Sequence, residues 1–86
     1  MKYDPNAYAG GVTPEERPLV EKFEDELVPY FEKHGSKIGE AAMKGDKDAE
    51  DVILGYHRFI HGMPQLRQTN FGLCVDALKK WEAKKA

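Results

Sequence analysis

His57 and His61 stand four residues apart, the spacing that brings two imidazoles to one side of a helix and can supply two metal ligands. A metal site needs more donors than that. Arg58, Phe59 and Ile60 separate the two histidines, so the HExxH glutamate of zinc proteases is absent and Arg58 opposes a bound cation. His34, Cys74, Asp76 or a carboxylate of the first helix has suitable chemistry as a third ligand, but no spacing selects one. The simpler reading is a histidine pair flanking a helix packing edge.

Arg67 and Asn70 raise a different question. On a helix starting at Pro64 both fall in the apolar sector beside Leu66, Leu73 and Trp81. A charge in that position needs a partner. One structural reading is a salt bridge to an acidic side chain of the first helix; another is a helix that begins near Thr69-Asn70 and leaves Arg67 in the turn. The functional reading is an anion site. Free amides at a helix N-terminus, Arg67, Asn70 and His61, with His57 or Tyr56 close by, would converge on the phosphate or carboxylate of a small ligand such as a nucleotide. No glycine-rich phosphate loop accompanies these residues, and Gly35-Ser36-Lys37 has no preceding strand.

Other chemistry-bearing residues point away from catalysis. Cys74 lies on an apolar stripe and reads as an inert core thiol. Glu24-Asp25-Glu26 reads as a solvated helix face. No Ser-His-Asp arrangement can be specified, and no cofactor is called for. A helix-turn-helix drawn through Ala41 and Gly45 fails on charge, because its recognition helix would open Asp46-Lys47-Asp48-Ala49-Glu50-Asp51 and press four carboxylates toward phosphates.

The elements that hold these residues are helical, with no segment alternating as a strand. Residues 1–12 read as an arm punctuated by Pro5, Asn6 and Gly10-Gly11, carrying Tyr3 and Tyr8. Either the tyrosines lie against the bundle or the arm orders on a partner. Thr13-Pro14-Glu15-Glu16 is a capping box with proline at the first helical position, although a start at Pro18 is also open. Leu19, Val20, Phe23, Leu27, Tyr30 and Phe31 then share a sector of about 120°, with Glu21, Glu24, Asp25 and Glu32 outside it. Pro29 is expected to kink or end this helix, and Gly35 to stop it.

A short helix over Ser36 to Lys44 follows, closed by Gly45, with Asp46 capping a helix to about His61. A continuous helix through Gly45 is the alternative, at about 1 kcal/mol relative to alanine. Ala49, Val52, Ile53, Tyr56, Phe59 and Ile60 form the buried side of the 47–61 helix. Leu54 projects some 140° away from that face, near Glu50, His57 and His61, as an apolar position with no use in the core. Gly62-Met63-Pro64 stops this helix and starts the last, from about Pro64 to Ala83. The last helix buries Leu66, Leu73, Cys74, Ala77, Leu78 and Trp81 and ends in Lys79, Lys80, Lys84 and Lys85, which complement its macrodipole.

The expected fold is all-α: a small bundle of three main helices plus one short helix over residues 13–86, joined by tight turns, with an extended N-terminal arm over 1–12. The 86 residues carry 33% charged and 41% hydrophobic side chains at a net charge of −2, a composition that suits one small globular domain. That charge is too near neutral for non-specific nucleic-acid binding. No apolar run approaches the ~20 residues needed to cross a bilayer, and the first residues lack a signal-peptide core. One cysteine excludes an internal disulfide and fits a cytoplasmic location. The charge is unevenly spread: residues 1–35 hold four basic and eight acidic side chains, residues 64–86 five and two. Opposite ends of the chain can therefore attract one another.

These features describe a non-catalytic helical binding protein that occupies a partner protein's surface or assembles with itself into a homo-oligomer. An adaptor, inhibitor or regulatory accessory protein of the kind phage and bacteria encode fits the pattern. Tyr3, Tyr8 and Leu54 are its candidate partner-binding residues. The alternative is a binder of a small anionic ligand through His61, Arg67 and Asn70, and a metal site on His57 and His61 is the third reading.

Overall fold

The computed structural model describes residues 4–85. Its helices are α1 (Arg17–Met43), α2 (Lys47–His61) and α3 (Arg67–Lys85), with one-turn 3-10 helices at Pro5–Ala7 and Pro64–Leu66 and no strand among the described residues. The all-α bundle expected from the periodicity is the fold. Its long axis of 38 Å is set by α1, whose 27 residues span about 40 Å at the usual rise.

The expected break in α1 is missing. Neither Pro29 nor Gly35 interrupts the helix, and the separate Ser36–Lys44 helix is instead its last part. Pro29 and Asp25 are both exposed, so water can satisfy the Asp25 carbonyl that Pro29 leaves without a donor. Past Gly35 the inward stripe of Val20, Phe23, Leu27 and Phe31 resumes seven residues on, two helical turns later, at Ile38 and continues to Ala41 and Ala42. Packing along that stripe outweighs the intrinsic cost of a glycine in a helix.

The chain then turns sharply. The Gly45 amide donates to the Ala42 carbonyl and the Asp46 amide to the Ala41 carbonyl, the two bonds of a Schellman ending. This geometry places Gly45 at φ +92°, where a side chain is strained. Asp46 caps α2 as expected, its carboxylate accepting from the Asp48 and Ala49 amides at 3.0 and 3.2 Å.

The same carboxylate binds Lys84 at 2.8 Å, and Lys84 also reaches Asp48 at 2.8 Å. The start of α2 is thus tied to the end of α3, as an antiparallel pair requires. Lys84 and the cap amides hold the Asp46 carboxyl below its usual value. The stability it contributes is therefore present above the ordinary Asp range near about pH 4 and lost as pH falls through the lower folded value. Asp46→Asn keeps a cap acceptor but removes the charge. It is expected to be less stable than wild type at neutral pH, with the difference closing below about pH 4, as read by urea unfolding across pH. A pH-independent difference would contradict the ion-pair assignment.

The core is aromatic toward the N-terminal half of α1. Phe23 stacks on Phe59 at 4.0 Å and Phe31 on Tyr56 at 4.1 Å, with Tyr8 edge-on to Phe59 at 6.3 Å. Cys74, Ala77, Leu78 and Trp81 supply the buried side of α3. Leu66, expected in that stripe, is 47% exposed. It belongs to the 3-10 turn, and α3 starts one residue later with Arg67 facing inward.

Candidate functional site

Arg67 is 1% exposed; its two terminal nitrogens have acceptors, while its buried Nε has no hydrogen-bond partner among the described residues. One terminal nitrogen donates to Glu16 Oε2 at 2.7 Å and the other to the Ala9 carbonyl at 2.7 Å. Its charge also lies 5.7 Å from the Tyr8 ring, within cation–π range. Glu16 Oε1 meanwhile accepts from the Thr13 hydroxyl at 3.0 Å and the Thr13 amide at 3.4 Å, while the Glu16 amide donates back to Thr13 Oγ1. The capping box therefore forms in the turn before α1, and its carboxylate also anchors α3. Burial pushes the Glu16 carboxyl up, but the bonds from Arg67 and Thr13 outweigh it and hold the group below the usual Glu value.

This arrangement is the salt-bridge reading of Arg67. The anion reading loses its main donor, because both terminal nitrogens point at Glu16 and Ala9 rather than at solvent. Asn70 is also buried, at the contact with Gly55, whereas His61 is exposed. The three residues form no common open site.

Tyr8 is likewise in the core, and its hydroxyl donates to Glu24 at 2.8 Å. Glu24 is 1% exposed, which corrects its placement on a solvated face: Tyr8 covers it. The Ala9 amide donates to the Ile60 carbonyl at 2.9 Å, satisfying one of the unpaired carbonyls at the end of α2. Residues 8–16 thus pack on the bundle through Tyr8, Ala9 and Glu16. Tyr3 lies outside the described residues. Tyr8→Phe removes a donor from a buried carboxylate and is expected to cost about 2 kcal/mol in urea unfolding; an unchanged midpoint would show that the bond contributes nothing.

The His57 and His61 rings are 4.8 Å apart and exposed. Among the described residues no group of three or more His, Cys, Asp or Glu could hold a metal ion, so His34, Cys74 and Asp76 do not complete a site with them. Burial pushes the Cys74 thiol up to about 12, which leaves it protonated and unreactive at neutral pH. No helix among the described residues is long and apolar enough to cross a membrane.

Leu54 is 37% exposed and Met43 91% exposed. Leu54 lines a shallow groove of about 260 Å³ with Ala42, Ile53, Glu50 and His57. The end of α1 forms one wall and the outer side of α2 the other. The groove is apolar at Ala42, Ile53 and Leu54 and polar at Glu50 and His57. Sequence reasoning singled out Leu54 from its angle on the helix but not Ala42, whose place in the groove depends on α1 running unbroken past Gly35. No protein-family model matches the chain, and neither a curated protein nor a solved structure shows significant similarity to it.

Proposed function

We propose that the protein is a non-catalytic helical binding module whose working surface is the outer face of α2 around Leu54. The observation that carries this reading is the apolar groove of Ala42, Ile53 and Leu54 on the outer side of α2. Ala42 and Ile53 pack against the core and Leu54 extends their apolar surface outward, and contiguous apolar surface open to solvent marks interaction sites. The groups with the most chemistry support the same reading: Arg67, Glu24 and Cys74 are buried in the structure's own packing. A protonated, unpaired thiol suits a reducing compartment such as the cytoplasm.

Leu54→Asp is expected to keep the helical fold, because Leu54 lies outside the central core cluster, and to abolish complex formation. Circular dichroism gives the first readout. Light scattering, with side-by-side capture of partners by the two proteins, gives the second. A variant that keeps both the native mass and every partner of the wild type would overturn the assignment.

A further inference from the structure

Lys47, Glu50, Leu54, His57, Arg58 and His61 are all exposed on α2, at spacings of three and four that place them on one stripe. Leu54 is its midpoint, with Glu50 four residues before and Arg58 four residues after. The charge along α2 is divided at the same point. Asp48, Glu50 and Asp51 precede Leu54, and His57, Arg58 and His61 follow it. Asp51 is paired with Lys47 at 2.6 Å and Asp48 with Lys84 at 2.8 Å, which leaves Glu50 before Leu54 and Arg58 after it as the charges of the exposed stripe.

We infer that the occupant of the Leu54 groove is a second copy of this chain, bound with its α2 antiparallel to the first across a twofold axis at Leu54. This rests on the reading of that face as the working surface and names the partner. A twofold places the same patch on both sides, so the patch must complement itself. In the antiparallel arrangement the Glu50–Asp51 turn of each helix lies level with the His57–Arg58 turn of the other, about 6 Å along the axis from Leu54. Glu50 of each copy then faces Arg58 of the other, once on each side of the axis. A parallel pair would set acid against acid and base against base. At the centre the two Leu54 side chains meet, each beside the other copy's groove of Ala42 and Ile53. The contact is formed by helices of fifteen residues, which places it among small, reversible interfaces.

The test reverses charge in one turn at a time in the full chain. One variant combines Glu50→Lys with Asp51→Lys, and the other His57→Glu with Arg58→Glu. Sedimentation is expected to show wild type as a dimer that dissociates on dilution, each variant as a monomer over the same range, and their equimolar mixture as a dimer. Circular dichroism confirms that each variant folds; if either does not, Glu50→Lys and Arg58→Glu alone replace them. A wild type that stays monomeric at every concentration overturns the second copy as occupant. If Leu54→Asp nevertheless loses another protein partner, the working face itself still stands. Variants that remain dimeric, or a mixture that stays monomeric, overturn the antiparallel register. A dimer that survives Leu54→Asp places the interface elsewhere and overturns both readings.

Discussion

Replacing Arg67 by methionine is expected to destabilise the protein by about 2 kcal/mol, because two charge-assisted hydrogen bonds are lost while the released Glu16 carboxylate, 22% exposed, can turn to water. Methionine keeps much of the stem's packing but cannot donate to Glu16 or to the Ala9 carbonyl. Arg67→Lys should recover less than half of the loss, because a single ammonium cannot span two acceptors as the planar guanidinium does. Glu16→Gln leaves the buried guanidinium without a counter-charge and is expected to cost a similar amount. The double variant should lose less than the sum, by about 1–3 kcal/mol, since neither change then strands a partner. Hydrogen exchange adds a local readout: the Ala9 amide, bonded to Ile60, should lose protection in Arg67→Met well below the global unfolding threshold. Wild-type stability together with unchanged exchange at Ala9 would show that Arg67 does not fasten the first segment.

The second large effect lies at Gly55. A Cβ built there would sit 2.9 Å from the Asn70 carbonyl oxygen and 3.0 Å from the Cys74 amide nitrogen. Both are backbone atoms of α3, so no side-chain rotation relieves the contact and the two helices must separate. Gly55→Ala is expected to cost about 2 kcal/mol despite alanine's higher helix propensity, and Gly55→Val more. Gly72 is the control. It is also within a helix, but a Cβ there meets nothing within 4 Å, so Gly72→Ala should stabilise by up to about 1 kcal/mol. Urea midpoints of the two alanine variants should move in opposite directions; equal shifts would deny the close α2–α3 approach.

What was legible in the sequence was mostly local. Asp46 and the Gly62-Met63-Pro64 punctuation mark α2 to the residue, because caps and stops act on neighbouring backbone. The continuity of α1 was obscured by Pro29 and Gly35, whose local preferences are strong. The stripe running on through Ile38 and Ala41 was present in the sequence and carried the deciding information. Arg67 could be seen to need a partner from its place among apolar residues. Which carboxylate answers it could not, since Glu16 lies 51 residues away and shares no periodicity with it. Glu24 was misplaced for the same reason. Its position outside the apolar sector of α1 is a fair reading of the helix alone, and only Tyr8, folded back from outside the helix, makes it a core residue. Leu54 was found because exposure on a helix follows from angle. The groove beside it was not, because it depends on where α1 ends.

On the proposed reading, the outer face of α2, rather than the aromatic core or the Arg67 cluster, is where this protein meets a second copy of itself. Amide spectra recorded from micromolar to millimolar protein test this most directly. Concentration-dependent shifts are expected around Glu50, Leu54, His57 and Arg58 on α2 and at Ala42 across the groove, and they should be lost in Leu54→Asp. Shifts centred on the Tyr8–Glu16 segment or the Met63–Leu66 turn, or spectra that do not change with concentration, would contradict it.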